Sequence, residues 1–200
     1  MVGKTRALIV GAAAFASLSA VGQDLQVHAG CRDGAAHGAY EVRAASGQLR
    51  VVGAFNRGKR TGSFIFWNGS GVRVAHIPYD EDQVSGTLSL WFLESGSRGD
   101  PAPKLQAGFA AGQRNGVSRS WYPSGQPRAI YLYEMGVLAE ARVWSAAGVP
   151  LSAADARELA SRDRDEDEKY YASLDAIVLA HQPVCEEHAP SGTRAGIDVH

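Results

Sequence analysis

The chain has 200 residues, 45% of them hydrophobic, and a formal net charge of −1. That apolar content excludes a wholly disordered chain and suits one domain with a terminal appendage. The near balance of 20 Lys and Arg against 21 Asp and Glu lacks the basic footprint of a nucleic-acid-binding protein.

Lys4 and Arg6 precede an uncharged run over residues 7–22, with small Ala20 and Gly22 at its end. Residues 1–22 therefore read as a secretory signal, because the run is shorter than the roughly 20 apolar residues that span a bilayer. Cleavage takes the net charge from −1 to −3 by removing two cations, and no later segment reaches transmembrane length. The expected location is the periplasm or the exterior. There Cys31 and Cys185, which bracket most of the mature chain, are expected to pair. Such a bridge closes a loop of about 150 residues, for which chain entropy gives about 4–5 kcal/mol. Two rivals are weaker. Cys31 as a lipid-attachment site has His28 where Leu is wanted, and a metal site of His181, Cys185 and His188 is interrupted by Pro183.

From residue 32 the sequence repeats. Gly38, Gly62 and Gly86 are spaced by 24 residues, and Gly112 and Gly136 resume the interval. Each unit reads as one β-hairpin: a Gly, a second Gly four residues on, a short strand, a Ser-Gly type turn, a second strand and a closing aromatic. Gly47, Gly71 and Gly125 fall at the hairpin tips, where a positive φ favours glycine. The third unit carries an insertion around residues 97–103, expected as a protruding loop. Tyr40, Phe64 and Leu88, with the closing Phe55, Tyr79, Phe109 and Tyr133, supply an apolar ladder between units. Trp67, Trp91 and Trp121 form a second column, five residues after the second Gly, with Trp144 one place short in a degenerate fifth unit. By strand parity Trp67 faces away from Phe64 and Phe66, so this column is the candidate binding face. The alternative is that these tryptophans pack under the terminal segment or against neighbouring units.

The Gly-x-x-x-Gly spacing, the aromatic before the hairpin turn and the closing aromatic resemble the variant class of MORN repeats over residues 32–151, with the third and fifth units degraded. The resemblance implies an elongated antiparallel sheet of stacked β-hairpins serving as a scaffold or binding surface, without chemistry of its own. Some members are labelled as antitoxins; an exported chain is badly placed to neutralise a cytosolic toxin.

Residues 152–185 read as an acidic helical segment. Ser152 and Asp155 make a plausible cap, and Ala156, Leu159, Tyr170, Leu174, Ile177 and Val178 follow at helical spacing. Between them every residue from 162 to 169 is charged, which suits either one helix crossing solvent or two helices with a frayed middle, with i,i+4 pairs Arg162–Glu166 and Asp165–Lys169. The acidic run 163–168 reads as a solvated face. Residues 186–200 read as a disordered tail. The array carries +4 and residues 152–187 carry −6, so the segment is expected to dock on one end or face of the array, fixed by the disulfide.

No nucleophile elbow, metalloprotease helix or nucleotide loop occurs in the mature chain. His37 and His76 stand alone, and Asn68 to Ser70 matches a glycosylation sequon that a hairpin tip already explains. The expectation is a mainly β, exported, non-catalytic repeat scaffold without a cofactor. It would bind a protein or cell-envelope component as a monomer or an edge-to-edge dimer. Alternatives are a self-capped structural or accessory protein, an antitoxin-like binder, or an enzyme whose site gathers His76, Tyr79 and several carboxylates.

Overall fold

The sheet is built by short-range reversals alone, so strands adjacent in sequence are adjacent in space. The structure is a computed structural model describing residues 25–95 and 101–185. The expected signal, the tip of the third hairpin and the expected tail lie outside the described residues. The strands are β1 (Leu25–Arg32), β2 (Ala35–Ala44), β3 (Leu49–Asn56), β4 (Lys59–Trp67), β5 (Arg73–Asp80), β6 (Gln83–Val84), β7 (Gly86–Ser95), β8 (Pro101–Ala110), β9 (Gln113–Trp121), β10 (Pro127–Glu134) and β11 (Val137–Val143). They form one antiparallel sheet in the order β1-β2-β3-β4-β5-β7-β8-β9-β10-β11, with β6 paired to β5 alone.

Two kinds of turn alternate. At the hairpin tips Gly47, Gly71 and Gly125 take φ of 84°, 82° and 85°, which their lack of a Cβ makes cheap. Between units the chain turns through two left-handed residues, such as Arg57 and Gly58. In the third unit Asp82 fills the glycine slot at φ 70°, and its carboxylate accepts from the Arg60 backbone N–H at 2.9 Å and from Arg60 Nε at 2.9 Å. The loss of that glycine thus adds a side-chain clasp.

Three details differ from the sequence reading. Strand β1 precedes residue 32, pairing Val27 with Val42, and Leu25 and Val27 pack on the core. It lacks the glycine pattern but alternates apolar and polar residues from Leu25 to His28, as a half-buried strand should. The insertion lengthens a hairpin, with Pro101 opposite Ser95 and Pro103 opposite Trp91. The fifth unit is half formed, its return reduced to a bridge between Trp144 and Pro150.

One continuous helix, α1 (Ala153–Ala180), follows. The Ser152 hydroxyl accepts from the Asp155 N–H at 3.2 Å, satisfying one free helix-start donor. Twenty-eight residues at 1.5 Å make it about 42 Å long, and ten strands about 4.8 Å apart span about 43 Å, so helix and sheet match in extent. It crosses from β11, against Ala156 and Ala160, towards β2, where the Tyr40 hydroxyl donates to the His181 carbonyl at 3.0 Å. Beyond it Cys185 is bonded to Cys31, 154 residues away in sequence. Neither cysteine remains free for lipid or metal. The helix-facing side of the sheet holds the core: Tyr40, Val51, Phe55, Phe64, Phe66, Tyr79, Leu88, Leu90 and Phe109 meet Leu174 and Val178. Ala129, Tyr131, Tyr133 and Val143 meet Ala156 and Ala160.

Candidate binding surfaces

Period two gives the sheet one covered and one open face. On the open side a continuous register row runs Glu41, Val52, Ile65, His76, Ser89, Gln106, Arg119, Ile130. Nearby Val117 is 38% and Ile130 36% exposed, and Leu93 on β7 is 59% exposed. At 2.9 Å His76 Nε2 meets Ser63 Oγ on the neighbouring strand. No described carboxylate bonds the other ring nitrogen, and the pair sits on an exposed face away from Tyr79, which points at the helix. The catalytic gathering considered for His76, Tyr79 and carboxylates is therefore not formed. Burial and nearby Arg73 push the His76 imidazole below its usual range.

The four tryptophans occupy equivalent places before their hairpin tips: Trp67 opposite Arg73, Trp91 opposite Pro103, Trp121 opposite Pro127 and Trp144 opposite Pro150. All four are half-buried, and none belongs to either apolar cluster. Trp67 follows helix-facing Phe66, and Trp91 follows Leu90, so both lie on the open side. The Arg73 guanidinium lies over the Trp91 ring, 4.1 Å from its centroid, a cation–π contact that fixes the ring.

The covered face carries what the sequence reading missed. Beside each tip one strand holds an extra residue, and these bulge residues are Arg50, Val74, Lys104 and Arg128. A bulge re-aims its side chain, and here Lys104 and Arg128 reach the helix. Arg128 forms a two-pronged bridge to Asp163 at 2.6 and 2.7 Å, and the Tyr131 hydroxyl donates to the same carboxylate at 2.7 Å. Arg114 Nη2 meets Asp167 at 3.3 Å, with Lys104 Nζ at 3.9 Å. Arg60 pairs with Asp175, which also accepts from the Tyr79 hydroxyl at 2.7 Å. The hydrogen bond to Asp163 strengthens protonation of Arg128. Burial pushes the Asp167 carboxyl above its usual range, against the pull of Arg114 and Lys104.

Residues 163–168 are thus a solvated face only in part: Asp163 is 9% and Asp167 7% exposed, while Asp165 and Glu166 face solvent. Nor do the expected i,i+4 pairs form; Arg162 approaches Glu158 at 3.9 Å and Arg164 contacts Asp165 at 3.3 Å. Asp163, Asp167 and Asp175 share a stripe of four-residue steps, and each finds a sheet cation better placed than any on the helix.

Among the openings between helix and sheet, one of about 180 Å³ is lined by Phe92, Lys104, Ser120, Trp121, Tyr122, Arg128, Tyr131, Asp163, Glu166 and Asp167 among others, and a wider one of about 480 Å³ lies by Arg114, Val137 and Glu168. Beneath the helix Arg114 Nε, Ser118 Oγ and Ser120 Oγ are buried without partners, all on β9. Buried polar atoms are rarely left so.

Compared with known proteins, the chain matches no family model. No curated protein matches it either. Among the described residues no helix is long and apolar enough to cross a membrane.

Proposed function

We propose that this is an exported, non-catalytic scaffold of MORN type that binds a protein or envelope component through the open face of its sheet. The carrying observation is the asymmetry of the two faces. The helix takes one side, while Trp67, Trp91, Ile65, Val117 and Ile130 lie on the other without entering either core. Half-buried tryptophans set among apolar and singly charged neighbours suit the anchoring centre of an interface. Export is supported by the basic start, the short apolar run and the disulfide, which persists in oxidising compartments.

A cross-linked pull-down from the native envelope, comparing the mature chain with a Trp67→Ala, Trp91→Ala double variant of unchanged circular dichroism, tests this reading. A specific partner captured by the parent and lost by the variant is expected. A partner kept equally by both would place binding elsewhere. The self-capped structural reading draws on the same helix and disulfide, and capture of nothing by either protein would favour it.

A further inference from the structure

The smaller opening between helix and sheet differs in chemistry from both faces. Three cations, Lys104, Arg114 and Arg128, stand at or just behind it against three carboxylates, Asp163, Glu166 and Asp167. The formal charges cancel, so neither an anion nor a cation gains a net attraction there. Most of these groups are held in place by one another: the Arg128 fork is closed on Asp163, and Tyr131 steadies the same carboxylate. Hydrogen-bonding capacity is nevertheless left over. Glu166 has no partner among the described residues, and Lys104, with three donors, makes only a 3.9 Å approach to Asp167 and a cation–π contact 5.5 Å from the Tyr170 ring centroid, so its N–H donors are not committed to a short hydrogen bond. The Ser120 hydroxyl, in the lining, is buried without a partner. Phe92 and Tyr122 supply the apolar part of the wall, and Trp121 borders it.

We infer that this cleft binds a neutral sugar ring. Such a ring presents C–H bonds on its faces, which suit aromatic walls, and hydroxyls on its rim, each able to donate and accept. A rim of that kind fits fixed cations and carboxylates set in alternation, without requiring a net charge on either side. At about 180 Å³ the cleft is smaller than the roughly 300–1,000 Å³ usual for drug-sized ligands, so it takes one ring, either free or as a single residue of a glycan. This site does not depend on the reading of the open face, since its walls belong to the covered side and the helix.

The test is a nuclear magnetic resonance titration of the mature, oxidised chain with 15N-labelled tryptophan. The probes are glucose, galactose and N-acetylglucosamine as neutral sugars, glucosamine and glucuronate as charged counterparts, and a short N-acetylglucosamine oligomer. The expected result is a saturable shift of the Trp121 indole N–H with at least one neutral sugar and a fixed Trp67 signal. The matching charged sugars should bind at least tenfold more weakly. Glu166→Ala, an exposed substitution, should leave the melting temperature unchanged and weaken binding about tenfold, the loss of one charge-assisted hydrogen bond. Oligomer binding with single-sugar binding shows the glycan source; single-sugar binding alone shows the free-sugar source. No saturable Trp121 shift with any neutral probe, tighter binding of a charged sugar, or unchanged affinity in Glu166→Ala would each overturn the assignment.

Discussion

The two faces of the sheet come from the same strands, yet they treat charge in opposite ways. On the open face two cations are neutralised within their own strands: Arg43 meets Glu41 at 2.8 Å and Arg142 meets Glu140 at 2.5 Å, each two residues apart. On the covered face Arg114 and Arg128 have no acid within the sheet and find theirs on the helix, as Arg60 does in part. A helix carrying aspartates at four-residue steps is therefore drawn to the face with unmet cations. The charged pairs choose the face, and the aromatic ladder supplies most of the contact energy. Buried ion pairs contribute little net stability over an apolar replacement, but breaking one strands the other partner.

The covered face depends most on the place where the helix end is bolted down. Replacing both Cys31 and Cys185 by Ser should cost about 4 kcal/mol in denaturant unfolding and expose residues 152–185 to protease. Next comes strand parity on β4: Phe66→Ala, on the covered side, should cost about 3–4 kcal/mol, while adjacent Ile65→Ala on the open side should cost about 1 kcal/mol. Asp163→Ala should cost about 3 kcal/mol by stranding Arg128 and the Tyr131 hydroxyl, more than deletion of the exposed Glu140 carboxylate, which should stay within about 0.5 kcal/mol.

A gentler probe is acid. The folded chain holds the Asp167 proton more tightly than the unfolded chain does, so its contribution to stability is present below the unfolded value and lost as pH rises through the folded one. The slope of unfolding free energy against pH on the acid side should therefore be less negative, or more positive, in Asp167→Asn than in the wild type. Asp82, lowered overall by its bonds from Arg60 although burial opposes them, acts in the reverse sense and loses its contribution as pH falls. Carbon-13 titration of the two carboxyls checks both directions. The smallest effect belongs to the open face, where Ile130→Thr should change stability by no more than about 0.5 kcal/mol in the same denaturant assay.

The architecture was largely written in glycine and aromatic spacing. Tip glycines such as Gly47, the buried ladder through Tyr40 and Phe64 and the Ser152 cap all lie where local rules put them, and the cysteine pair was legible because the chain holds just two cysteines. Strand β1 was hidden because the repeat pattern begins after it. The charge ladder was hidden for a different reason: its partners lie 35, 53 and 115 residues apart, and no local rule joins them. A signal did exist. Lys104 and Arg128 are one 24-residue period apart, and Asp163 and Asp167 share a helix stripe. Reading a charged run as solvated ignores that a helix lying on a basic sheet turns one side inward. The cleft was beyond sequence reasoning, because it joins residues from β7, β8, β9, β10 and α1.

The central claim is that the helix fills one face and leaves the other for a partner. A photo-cross-linking residue placed at Ile130, on the open face, and separately at Arg157, exposed on the helix, tests it in the native envelope. The account predicts a discrete heteromeric adduct from position 130 and none from position 157. Adducts from position 157 alone, or from neither position, would contradict it.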